Sequence, residues 1–466
     1  MSEWWKQSAS ELASAIARGD VSSVEVVQSH LDRIAAVNQA VNAVTAVLAD
    51  DALQAAKEAD RAVAAGEALG ALHGVPFTIK ENVDVAGSAT TQGVPALAGN
   101  IAPVDAPVVE RLRAAGAIPL ARTNLPDMAL RVHTDSSLHG VTRNPFDGTK
   151  TAGGSSGGEA AALAVGMTPL GLGNDIGGSL RNPAYCCGIA SLKPSAHRIP
   201  SADSTSPQEP LLVSQLMSVE GPMARRVADV RLAFNLLAGA HSRDPYCVPV
   251  PFDGPPLPAP IRVALVPEPP GGPTTATVAS SVRAAGAALS DAGYEVVEIT
   301  PPMVEDAIAT WATWIISEIA QLKPQLRMVM STDAMQFLDW AEESIGTVDY
   351  AGSVALMMKR HEIARAWSAF FDDYPVIVGP VWTGPQFTAG WDAESSENAV
   401  GTLELMRFVT PMNLLGIPSV CVPTGIADGL PTGVQVVGRW FREDVCLDAA
   451  EAIEQRLGTI TPIDPR

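Results

Sequence analysis

Short apolar runs and longer amphipathic runs alternate along this chain, and their alternation predicts its elements. Near the N-terminus, Ser8-Ala-Ser-Glu11 and Ser22-Ser-Val-Glu25 have capping-box spacing, each ahead of an amphipathic run. A serine that accepts from a helical N–H, answered by a glutamate reaching back, marks a helix start. Two helices are predicted there, ending near Gly19 and Asn38, and Ala-rich Asp50 to Ala65 predicts a third. The texture then changes. Gly74-Val-Pro-Phe-Thr-Ile-Lys80 is short, apolar and β-branched between turn signals, which reads as a buried strand ending on a lysine. Pro107 to Gly116 reads as helix and Ala117 to Arg122 as the next strand. That recurring alternation predicts an α/β fold, a central sheet covered by helices on both sides.

The later chain repeats the pattern with one interruption. Asp244 to Pro273 is dense in proline, which fits neither a central strand nor a helix interior. We read it as a surface excursion rather than a linker. Ile261 to Val266 and Tyr294 to Ile299 are strand-like, flank a helix and extend the same sheet. Met303 to Phe370 reads as largely helical and carries Trp311, Trp314, Met328, Met330, Met335, Trp340, Met357 and Met358. Such residues at helical spacing are usually core, although adaptable apolar side chains also suit a binding wall. Pro375 to Gly379, Ser419 to Pro423 and Gly433 to Gly438 are further buried strands, and Asp444 to Arg456 is a closing helix.

Composition narrows the class. The 466 residues are 47% apolar and 18% charged, a globular balance with room for one large or two ordinary domains. A net charge of −20 argues against a nucleic-acid partner or an anionic membrane surface. Met1-Ser-Glu-Trp-Trp-Lys6 lacks the build of a secretory leader. No apolar run reaches the roughly 18 residues of a spanning helix. Five scattered cysteines suit neither a disulfide framework nor a zinc site, and adjacent Cys186 and Cys187 read as packed thiols. The expected location is cytoplasmic.

Candidate chemistry gathers between Thr151 and Arg181, TAGGSSGGEAAALAVGMTPLGLGNDIGGSLR. A Gly/Ser run of this kind is otherwise a linker. Here it leads straight into an Ala-rich helix, with Ser156 and Glu159 at capping-box spacing. A helix start of that sort would suit anionic oxygen. Gly171 to Ser179 sets consecutive backbone N–H groups ahead of a hydroxyl, an arrangement that can hold an oxyanion while the hydroxyl attacks a carbonyl. It is neither a P-loop nor a dinucleotide fingerprint, because the required Gly-Lys-Ser/Thr is absent and position 176 is isoleucine. A serine nucleophile needs a base. Lys80, poorly solvated on an apolar strand, is one candidate. Among the histidines, His73 and His139 lie nearest the motif regions. No spacing supports a metal.

The stretch GGSSGGEAAALA…GLGNDIGGSLRNPA resembles the signature of the amidase signature family of serine hydrolases. Leu72 to Asn82, Ala121 to Leu125, Thr142 to Pro145, Gly221 to Arg225 and Gly433 to Gln435 match in order, covering nearly the whole chain. The resemblance implies that residues 1–466 form one amidase signature domain with a mixed central sheet. Its signature core lies at about 70–230 and a variable, substrate-facing helical region at about 300–400. By the same resemblance Lys80 is the catalytic lysine, Ser155 the bridging serine after a cis peptide bond, and Ser179 the nucleophile. The oxyanion hole falls on the N–H groups of Ile176, Gly177, Gly178 and Ser179, braced by Asp175 and Arg181. No cofactor and no metal is implied. The expected partner is a small-molecule amide or carbamate (an aryl amide or urethane above all), with a homodimer compatible. Two departures stand out: GNDIGGS replaces the commoner GSDTGGS, and Ser191 to Pro200 diverges from the usual continuation. The second weakens the alternative, a glutaminase subunit of a tRNA-dependent amidotransferase. A binding or scaffold protein that kept the fold without the chemistry is a further alternative.

Overall fold

The computed structural model describes residues 3–466. The leader reading therefore rests in part on Met1 and Ser2, which lie outside the described residues. Both N-terminal capping boxes form, at Ser8/Glu11 and Ser22/Glu25. The first helix, Ala9–Arg18, ends at Gly19 as expected. The second, Ser23–Val41, runs past the predicted stop. Asn38 does not terminate it; the Asn38 carboxamide turns back to accept from the N–H groups of Ala43 and Val44, and Asn42 takes the left-handed cap at φ 51°.

The strands, in chain order, are β1 Val44–Val47, β2 Pro76–Lys80, β3 Ile118–Thr123, β4 Asp135–Ser136, β5 Gly140–Val141, β6 Leu170–Asp175, β7 Ala190–Lys193, β8 Val219–Ala224, β9 Arg262–Leu265, β10 Glu295–Glu298, β11 Val376–Pro380, β12 Ser419–Ala427 and β13 Leu430–Gly438. All but β4 and β5, which pair with each other, join one sheet in the order β1-β3-β2-β6-β8-β7-β12-β13-β11-β9-β10. The sheet is mixed. β3, β2 and β6 run parallel, as do β11, β9 and β10, while β6, β8, β7, β12, β13 and β11 pair antiparallel in succession. β9 and β10 extend this sheet beyond the proline-rich stretch, as the pattern predicted. The β12–β13 hairpin is longer than predicted because Asp428-Gly429, both at positive φ, makes the turn.

Alternate residues of the central strands enter cores on opposite faces: Val376, Val378, Val420 and Val422 on one side, Ile377 and Cys421 on the other. Helices cover both faces. Val108, Val230, Val282 and Val445 from four helices pack on the first, and Leu163, Trp314, Trp367 and Met412 on the second. The Met- and Trp-rich stretch is three helices, Val304–Leu326, Thr332–Ile345 and Tyr350–Asp373. Trp311, Trp314, Met330 and Met335 are core, whereas Met328 and Met358 are exposed. All five cysteines are free and buried. Among the described residues, no helix is long and apolar enough to cross a membrane.

Candidate active site

Because β2 and β6 run parallel, Lys80 and Asp175 end up on the same edge of the sheet, where ligands of open α/β sheets bind. Arg122, from β3, holds the chain just beyond Lys80 by donating to the carbonyls of Ile79, Lys80 and Val83 at 3.4, 3.3 and 2.6 Å. Lys80 itself is fully buried. Its Nζ donates to Ser155 Oγ and to Asn174 Oδ1, each at 2.7 Å. Burial disfavours the ammonium form and lowers Lys80 to about 7, although Glu220, Asp175 and Glu159 pull the other way.

Ser155 follows a cis peptide bond from Gly154. One expectation for this loop fails. Ser156 is the N-cap of the helix Gly157–Ala164, but its hydroxyl caps nothing and has no hydrogen-bond partner. Glu159 instead turns inward and accepts from Thr78 and, at 2.7 Å, from Thr123; burial pushes it up to about 7. A side chain at Gly171 would collide with that carboxyl, so Gly171 makes room for Glu159. The helix start is not an anion site either. The N–H groups of Gly157 and Gly158 go to Thr134 Oγ1 and the Asn124 carbonyl.

Ser179 sits on the turn between β6 and the helix Arg181–Cys187, 6% exposed. Gly178 has φ +100°, and any Cβ there would strike Val409 and Asn182, so only glycine fits. Asp175 organises the turn by accepting from the N–H groups of Gly178 (2.7 Å) and Leu180 (3.1 Å) and from the Arg181 fork. Burial works against its charge, yet Arg181 holds the Asp175 carboxyl well below the usual carboxylate range. The Gly178 N–H is thereby committed. Among the described residues, the N–H groups of Ile176, Gly177 and Ser179 have no acceptor. The two serine loops join where the Ser156 N–H donates to the Ser179 carbonyl at 3.3 Å.

Sequence reasoning missed several supports. Asn413 donates to Asp175 and accepts from Arg181, and Asn182 donates to the Gly177 carbonyl. Trp382 in turn donates to Asn182 at 3.0 Å. None of these has a spacing that one sequence would betray. Gln435, by contrast, lies in a matched motif; it accepts from Arg181 at 3.0 Å. The histidine candidates lie elsewhere. His73 bonds the Ala59 carbonyl and His139 bonds Glu81. A surface groove between Met303, Met358, Arg365 and Trp440 contains none of Lys80, Ser155 and Ser179.

The Asp175–Arg181 pair makes a first prediction. Asp175→Ala leaves a fully buried guanidinium without its carboxylate, a loss worth on the order of 3–5 kcal/mol. Urea unfolding should show it; a midpoint like that of the unaltered protein would mean the pair does not brace the turn.

A buried amine on a serine hydroxyl, beside a second serine on a turn with unpaired N–H groups, can carry out acyl transfer. Such a fold and site suit a hydrolase. Residues 25–447 match the family model Amidase, and the chain belongs to the amidase signature family. It is similar to an indoleacetamide hydrolase of Bradyrhizobium diazoefficiens, 42% identical over 98% of this chain and 87% of that one. It is 32% identical to one subunit of a glutamyl-tRNA(Gln) amidotransferase of Salinispora arenicola, over 99% of each chain. The solved structure of a 6-aminohexanoate cyclic dimer hydrolase superposes with a TM-score of 0.83 at 27% identity, over 98% of both chains. The protein is an amide hydrolase that cleaves C–N bonds of carboxylic amides.

Proposed function

We propose that Ser179 attacks the amide carbonyl, that Ser155 passes its proton to neutral Lys80, and that the substrate carries an aromatic or otherwise apolar acyl group. The observation that carries this reading is the 2.7 Å bond between a fully buried lysine and Ser155. The tetrahedral oxyanion is held by the N–H groups of Ile176, Gly177 and Ser179. Gly178 drops out of the four groups expected from sequence, because Asp175 takes its N–H. The proton returns through Ser155 to the leaving nitrogen, and water then releases the acyl group.

Aromatic side chains close around the turn. Trp311 packs on Gly177 and donates to the Ile176 carbonyl at 3.0 Å; Trp382 stacks on Phe387 with centroids 5.3 Å apart. Flat apolar walls favour a flat apolar acyl group. The likeness to an indoleacetamide hydrolase points the same way, to an arylacetamide. Urethane and ester cleavage are extensions of the same chemistry. The glutaminase reading draws on a likeness of 32% against 42%. The test is a panel of indole-3-acetamide, phenylacetamide, an aryl carbamate, acetamide and glutamine. We expect kcat/KM for the arylacetamides to exceed that for glutamine at least about 100-fold, as a hydrophobic pocket can discriminate. A preference for glutamine, with co-purifying partner subunits, would replace this reading by the amidotransferase one.

No step in this sequence calls for a metal. Prolonged EDTA treatment should leave turnover unchanged; loss on chelation with recovery on adding zinc would contradict a serine mechanism.

A further inference from the structure

The partner of Lys80 on the side away from Ser155 is Asn174, one of the two positions where the signature departs from its commoner form. Asn174 lies directly across from Glu220 in the β6–β8 ladder, so the two side chains share a face of the sheet. Lys80, Asn174 and Glu220 form a row over three neighbouring strands. Asn174 accepts from Lys80 and stands opposite the Glu220 carboxyl. Glu220 Oε1 also meets the Ser201 hydroxyl at 3.5 Å, while Oε2 is shielded from solvent and has no hydrogen-bond partner. A narrow crevice lined by Pro107, Val108, Pro200, Ser201 and Asp203 reaches Glu220, and Asp203 is exposed to solvent.

We propose that Glu220 is a positioning residue for Lys80, supplying the counter-charge that lets a buried amine gain and lose a proton, with the crevice as its outlet to water. When the Ser155 proton moves to Lys80 Nζ, an ammonium forms inside the protein. Glu220 releases its own proton to water in the crevice, so positive and negative charge appear together, and both steps reverse when Lys80 gives its proton back. Of the carboxyls that face Lys80, Asp175 is tied to Arg181, and Glu159 to Thr78 and Thr123. Glu220 is the one without a strong partner. Burial first, and then the like charge of Asp203, push it up to about 8, so at neutral pH a mostly neutral acid shares the row with an amine that is about half neutral. Such a pair titrates as a unit. Asp203, in turn, faces Asp84 and Glu209.

This inference rests on Lys80 acting as the base. The test is the pH profile of kcat/KM on an arylacetamide for the unaltered protein, Glu220→Gln and Asp203→Asn. Glu220→Gln removes the charge that favours the ammonium, so the basic limb should move about one unit to lower pH, with lower turnover at its plateau. Asp203→Asn lets Glu220 ionise more readily and should move the limb the opposite way, to higher pH; that variant keeps the test open if the glutamine does not fold. Limbs that stay in place in the folded variants would overturn the role of Glu220 while leaving the base intact. If the unaltered protein's limb persists in Lys80→Ala, the base assignment itself fails and takes this inference with it.

Discussion

Ser179→Ala should abolish amide hydrolysis and leave the fold unchanged. The hydroxyl forms the bond to the acyl carbon, and no neighbouring group can take its place on the turn. Loss of a serine nucleophile in a comparable constellation costs on the order of 10⁶ in kcat. The side chain is small and makes no ion pair, so circular dichroism and urea unfolding should match those of the unaltered protein. Ser155→Ala should also be severely impaired, because Lys80 then has no hydroxyl through which to act. A Ser179→Ala protein with more than about 1% of normal turnover would remove Ser179 from the nucleophile's role.

Replacement of Lys80 should have the next largest effect. An unperturbed lysine, near 10.4, is only about 0.04% neutral at pH 7. At about 7, Lys80 is neutral in roughly half the molecules there, the fraction a general base needs. The sign follows directly: protonation removes the base, so activity should rise with pH through the neutral region and level off above it. Lys80→Ala should lower kcat by at least about 10²–10⁴ and erase that limb. Lys80→Arg should not restore it, because a guanidinium stays protonated and cannot accept. Near-native turnover in Lys80→Arg would make Lys80 a fixed charge that merely holds Ser155.

Much of the fold was legible because its strands are buried on both faces and therefore read as short apolar runs between turns. Strand β1, Val44–Val47, was not. It is an edge strand with exposed residues, and its run of four offers no period to detect. Ser156 and Glu159 misled for a different reason. Their spacing is that of a cap, but Thr78 and Thr123 present hydroxyls to Glu159 from two strands distant in sequence, and tertiary hydrogen bonds outweigh a local motif. The same limit hid Asn413 and Trp382, whose contacts beside the Ser179 turn span 238 and 200 positions. Lys80 was legible as a buried lysine. What makes it competent, a hydroxyl on one side and a carboxamide on the other, appears only once two strands and a loop converge.

The central claim is that a covalent acyl-enzyme forms on Ser179. It is tested most directly by acid-quenching the protein during turnover of an arylacetamide and mapping the modified peptide by mass spectrometry. The account predicts a mass increase equal to the acyl group, carried on Ser179 and missing from Ser179→Ala. An acyl group found on Ser155, or turnover with no covalent adduct at any quench time, would contradict it.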